Sequence, residues 1–137
     1  MDNRLKQEKI MKIKKSMLIS VFNFLAGASL VGPASRARTK LVNDISEQID
    51  SLQNDQKDLV QSNGGNIDAA GNIKFSEAES KIEYEKQKEE LFQEKVLFNE
   101  KTEGYFERLR VGLDKYTEKL SGQDAVAYDY LLDKLEE

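Results

Sequence analysis

The architecture of this chain turns on Ser16–Leu52, SMLISVFNFLAGASLVGPASRARTKLVNDISEQIDSL. The stretch opens apolar, breaks at Gly32-Pro33, turns basic over Arg36, Arg38 and Lys40, and settles into an amphipathic repeat. In its first part Leu18, Val21, Phe22, Leu25 and Ala28 or Ser29 recur three and four residues apart, a core-facing helical stripe. Proline lacks an N–H and restricts the residue before it, so Gly32-Pro33 is expected to end that helix. Ser35 is then a suitable N-cap for the next one. Leu41, Ile45, Ile49, Leu52 and Leu59 line one side of a long amphipathic helix reaching about Gln61. Two helices joined by a Gly-Pro break make a helical hairpin, and the remaining segments are expected to cover it.

A second reading of the same stretch has to be weighed. Lys12, Lys14 and Lys15, then a short apolar run, then small residues, is also the pattern of a secretory signal. Asn23 inside the run and the charged ten-residue prefix count against it. The run is too short to span a membrane, and its removal would leave a much weaker core. The scaffold reading is therefore preferred. Met11 begins a second plausible start, so residues 1–10 are expected to be a flexible extension and 11–137 a single helical domain.

Beyond the hairpin, Ser62 to Asn66 must turn. Ile67, Ile73 and Phe75 flank a Gly-containing loop, which predicts a small β-hairpin over residues 66–75. That loop is rich in Asn and Asp, yet it lacks the alternating ligands and closing Glu of a calcium loop. Ser76 with Glu79 reads as a capping box for an exposed, highly charged helix to about Lys95. Val96 to Phe98 fits either a short strand or the end of that helix. Phe106, Leu109, Leu113, Tyr116 and Leu120 give the cleanest helical spacing in the chain, and Val126 to Leu135 closes it with another helix. The fold class expected is mainly α, a bundle of four to five helices with one small β-hairpin.

The chain contains no Cys and no His, which removes thiol nucleophiles, disulfides and the commonest general base and metal ligand. Paired carboxylates such as Glu89-Glu90 fall on wet helical faces with no desolvating neighbours, so a solvated structural role is the preferred reading. No catalytic residue, metal site or cofactor is expected, and the protein is read as a non-enzyme. Charge is divided unevenly: residues 1–40 carry nine Lys/Arg against two acids, and residues 41–137 carry 12 against 23. The two parts can neutralise each other on folding or in an oligomer. Alternatively, Arg36, Arg38 and Lys40, near a helix start, can bind an anion or nucleic acid. Nucleic acid is the less favoured partner, because the basic residues are not interleaved with aromatics. A protein partner is favoured, through a face comprising Tyr105, Phe106, Leu109, Leu113, Tyr116, Tyr128, Tyr130 and Leu131, since Tyr is prominent in binding hot spots. Packing of these residues in the protein's own core is the competing use.

Three segments together carry a resemblance. They are Gly27-Ala28-Ser29 with Pro33 to Lys40, the Asp68 to Ile73 hairpin, and Leu120 to Asp133 with its Ser121-Gly122-Gln123-Asp124-Ala125 start. Over roughly residues 11–137 the chain resembles a family of small proteins of unknown function from phages and prophages of Gram-positive bacteria. The resemblance implies a phage accessory protein in the host cytoplasm or on the virion, and it brings no catalytic residues. Three functions are then in play: non-catalytic binding of a phage structural or host defence protein, acidic inhibition of an anti-phage defence or nucleic-acid-processing protein, and nucleic-acid binding through the basic segment. Homo-oligomers are compatible with the first, and no membrane partner is expected.

Overall fold

The computed structural model describes residues 9–100 and 104–137; the N-terminal extension expected over residues 1–10 thus lies mostly outside the described residues. Strand β1 (Ile10–Lys14) leads through a 3-10 turn (Lys15–Met17) into helix α1 (Leu18–Gly27) and then the long helix α2 (Gly32–Ser62). The hairpin strands β2 (Asn66–Ile67) and β3 (Ile73–Lys74) precede α3 (Ala78–Gln93), β4 (Lys95–Asn99), α4 (Tyr105–Asp114) and α5 (Gly122–Glu136). The fold is mainly α: among the described residues there are five α-helices, with the small hairpin at the position its sequence predicts.

One sheet was not foreseen. β1 and β4 pair antiparallel with Met11 opposite Phe98 and Ile13 opposite Val96. Those four side chains are buried, while Ile10, Lys12, Lys95, Leu97 and Asn99 are exposed on the other face. Lys9 and Ile10 are therefore part of ordered structure, with the Glu100 N–H donating to the Lys9 carbonyl at 3.1 Å. Val96 to Phe98 resolves as strand.

α1 packs against α2 and α5, and α4 against the same two helices. Leu18, Val21, Phe24 and Leu25 of α1 are buried, so Phe24 takes the place expected for Phe22, which is half-buried. α1 stops at Gly27, earlier than Gly32-Pro33. That pair begins α2 instead: Val31 is the N-cap and Pro33 sits in the first turn, where its missing N–H costs nothing. Ser35 is inside α2 and serves Arg38. Leu41, Ile45 and Leu52 are buried along α2 as its spacing predicts, whereas Ile49 and Leu59 are half-buried.

The second half of α2, the hairpin and α3 form an arm. Tyr84 is the one fully buried residue of α3, so the exposure expected of this helix holds. Its start differs: the helix begins at Ala78 with Glu77 as N-cap, and no side chain caps it. At the arm's tip the Phe75 ring lies 5.2 Å from that of Tyr84. Phe75 and Val60 crowd Gly65 so closely that a Cβ there would come within 2.5 Å of the Phe75 ring. Asp68 organises the hairpin loop, its Oδ1 accepting from the N–H groups of Ala70 (3.0 Å) and Asn72 (2.8 Å).

α4 is shorter than its apolar spacing suggested. It ends at Asp114, and residues 115–121 are irregular. The Tyr128 hydroxyl donates to the Leu113 carbonyl at 2.7 Å, where the Tyr116 N–H also donates at 3.1 Å, so a side chain and the backbone together close this helix end. Tyr116 turns away to meet Phe24 edge-on at 5.8 Å.

Candidate functional site

Five of the eight residues expected to form a partner face are interior. Tyr105, Leu109, Leu113 and Leu131 have 0% of their surface exposed and Phe106 has 1%. Their three- and four-residue spacing marks the buried side of α4 and α5, so core packing accounts for them and they present no face to a partner. Tyr128 and Tyr130 are half-buried tethers. The former caps α4, and the latter accepts the Lys14 N–H at 2.9 Å, tying α5 to the outer edge of β1. Tyr116 and Tyr130 line separate surface concavities, Tyr116 the one between α2 and α4.

The basic trio is also divided. Arg38 points back at the end of α1, where one guanidinium nitrogen donates to the carbonyls of Leu25 (3.0 Å) and Ala28 (2.6 Å) and the other to Ser35 Oγ (3.0 Å). A cation on the open carbonyls of a helix C-terminus is favourable both as hydrogen bond and against the helix dipole. Arg36 is exposed and Lys40 half-buried, one turn apart on a different side of α2. The three do not form one anion-binding patch.

The concavity that Tyr116 lines has a volume of about 480 Å³. Its floor is built from Leu30, Pro33, Ala34, Val111 and Gly112, and its rim carries Glu107, Arg108, Lys115 and Glu118. It exists because α2 and α4 cross tightly at one point. A Cβ on Gly112 would sit 2.4 Å from Ala34 Cβ, so only glycine lets the helices approach there. The loop Ala28–Val31 then stands off to one side and leaves the groove open. Val31 is 84% exposed at its lip. Leu30 and Val31, two apolar residues just before a Gly-Pro helix start, are the sequence signal for this site, and a helix expected to run up to Gly32-Pro33 hides it.

Electrostatics at the groove are set by α4. Arg110 holds Glu107 with contacts of 2.9 and 2.7 Å and Asp114 at 2.6 Å. The Arg110 hydrogen bond pulls the Glu107 carboxyl below its ordinary pKa, with the charges of Arg110 and Lys9 adding to it. Glu107 therefore stays ionised at the rim. Elsewhere, the buried Tyr105 hydroxyl has no hydrogen-bond partner among the described residues. Burial pushes its pKa up, and the charges of Asp44 and Glu100 push it further. Among the described residues no cluster of three or more acidic side chains is placed to hold a metal ion, and no helix is long and apolar enough to cross a membrane.

Comparisons with protein-family models, with curated proteins and with solved structures gave no match to this chain.

Proposed function

We propose that this is a non-catalytic accessory protein of a phage or prophage that acts by binding another protein through the groove at the start of α2. The observation that carries the reading is the groove itself, with Val31 84% exposed at its edge. A valine left in water beside an apolar concavity gains by being covered, and apolar centres with polar rims are how protein interfaces are built. Its volume suits large apolar side chains. Small-molecule sites converge a few polar groups on one point; here acidic and basic groups alternate along an open rim, which suits a polypeptide segment better. The phage setting, and a place in the host cytoplasm or on the virion, rest on the family resemblance.

Replacing Val31 with a photo-crosslinking amino acid tests this in cells that carry the phage or prophage. Crosslinks to one protein species are expected at Val31 and at Thr117, which also lines the groove, and not at Ile82, which is exposed on α3 in the arm. Val31→Asp should weaken capture of that species at least ~10-fold, since a buried unpaired charge costs well over 1.4 kcal/mol. Equal crosslinking at Ile82, or full binding by Val31→Asp, would overturn the assignment.

A second reading, acidic inhibition of a host defence or nucleic-acid-processing protein, draws on the arm, where Asp50, Asp55, Asp58, Glu83, Glu85, Glu89 and Glu90 are exposed. Salt separates the two. Mimicry of a phosphate backbone weakens steeply with ionic strength, and an apolar groove contact does not.

A further inference from the structure

Two surfaces outside that groove are unpartnered and complementary. The first is the outer face of the β1–β4 sheet. Its apolar centre is Ile10 and Leu97, 53% and 56% exposed. Around them stand Lys12, Lys14 and Lys95, with Lys12 opposite Leu97 and Lys14 directly opposite Lys95. Like charges facing each other across a strand pair are unfavourable, and among the described residues these three lysines make no ion pair. The sheet is left with a charge the fold does not neutralise.

The backbone of β4 reinforces the point. The bonds from Lys15 N–H to Glu94 and from Glu100 N–H to Lys9 fix which pairs in the ladder are hydrogen-bonded. By alternation, the peptide groups of Lys95, Leu97 and Asn99 face away from β1. On the β1 side Tyr130 occupies the corresponding Lys14 N–H. β4 is thus the open edge, and a short one bearing a lysine.

The second surface is a groove of about 320 Å³ between α2 and α3 in the arm. Its floor is Leu59 and Leu91, both half-buried, and its rim is Asp55, Asp58 and Glu90 with Glu94 at one end. Glu94 is engaged by Lys15 at 2.7 Å; Asp55, Asp58 and Glu90 have no ion pair among the described residues.

We infer that the protein self-associates, the lysine-rimmed sheet of one copy seating on the carboxylate-rimmed groove of α2 and α3 in a second. Leu97 and Ile10 cover Leu59 and Leu91, and Lys12 and Lys95 reach Asp55, Asp58 and Glu90. The occupant is a second copy because the same chain carries both halves of the match, each unsatisfied, and the charge split between residues 1–40 and 41–137 gives the contact its sign. The contact is heterologous: one patch meets a different one. It leaves the Val31 groove free, so its failure says nothing about the partner reading, and the reverse.

Sedimentation velocity of the full chain over a concentration series tests it. Self-association is expected at low salt, with a dissociation constant at least ~10-fold weaker when ionic strength rises from ~0.05 to ~0.5 M. A sheet variant, Lys12→Glu with Lys95→Glu, and an arm variant, Asp55→Lys with Glu90→Lys, alter exposed residues only, and unchanged thermal melting checks that they fold. Each alone should be monomeric, because equal charges then meet. An equimolar mixture should associate again, because every junction is once more between opposite charges. Leu97→Asp gives an independent variant, expected to be monomeric alone and to stay so when mixed with the sheet variant, because neither copy then offers an unaltered sheet. A monomeric wild type at all concentrations, self-association by either charge variant, or a mixture that stays monomeric would overturn the inference.

Discussion

The head of the molecule and its arm are both helical, but they are held together differently. α1 in the head has no charged residue, while α3 in the arm is dominated by Lys and Glu. In the head, α1 and α4 are ten residues each, too short to be stable helices alone. They persist because Leu18, Leu25, Leu41, Ile45, Tyr105, Leu109, Leu113 and Leu131 close one continuous core. In the arm, α2 runs on unbroken and α3 lies beside it, meeting it along a seam of Gln56, Leu59 and the C-cap Asn63, spaced three and four residues apart. Two of those seam residues are polar. Gln56 donates to the Tyr84 hydroxyl at 2.9 Å, and Asn63 donates to Gln87 Oε1 at 2.8 Å. Polar residues in a helix seam choose the pairing at some expense of stability. The head is thus fixed by burial, the arm by hydrogen-bonded register. The arm is expected to be the region that opens first.

The sharpest test of that contrast is a pair of truncations. Leu109→Ala should destabilise the protein by about 2–5 kcal/mol, the usual range for a buried leucine with a residual cavity. Leu59→Ala in the arm should cost about 1–2 kcal/mol, since less area is lost. Urea titrations of the two would break the comparison if the losses were equal. Native-state hydrogen exchange sharpens it, with amides of α3 expected to exchange through openings smaller than global unfolding.

A smaller effect is expected at the α2–α4 crossing. Gly112→Ala gains helix propensity of up to ~1 kcal/mol, but the new methyl meets Ala34 Cβ and cannot rotate away. A net loss of about 1–3 kcal/mol should follow, as for overpacked cores, and Ala34→Gly should recover most of it. Absence of rescue would mean that the helices are not held by this contact.

The smallest effect has the opposite sign. Tyr105→Phe removes the buried, unpartnered hydroxyl and should stabilise the head by about 1 kcal/mol at neutral pH. Because the folded-state pKa of Tyr105 is raised above its ordinary 10.0, the wild type should be at full strength below pH 10. It should lose stability as pH rises beyond that, when the unfolded chain ionises and the folded one resists. Tyr105→Phe should flatten this alkaline loss in denaturation curves taken across that range. An unchanged slope would place the effect on other groups.

Much of the fold was legible along the chain. The spacing of Leu41, Ile45 and Leu52 gives α2, the Asp68 to Gly71 loop gives the hairpin, and the sparse apolar content of α3 gives its exposure. These are local signals, each contained within a few turns. The candidate site was scarcely legible: the periodic residues Phe106, Leu109 and Leu113 pointed to α4 correctly, but regular spacing marks the side of a helix that is hidden. Of the proposed partner face Tyr116 alone reached the groove, and it did so because α4 ends early, at a carbonyl that Tyr128 takes.

The amino-acid sequence by itself determined the helical class, the position of the hairpin, the lack of Cys and His chemistry and the uneven division of charge, because each is a property of composition or of short-range period. Tertiary structure alone decided that residues 10–14 join residues 95–99 in a sheet, that Arg38 closes the end of α1, and that Val31, Ala34, Gly112 and Tyr116 surround one groove. Those relations join residues far apart in the chain. Alternation or charge in one segment says which residues seek a partner; only the folded packing says which partner they find.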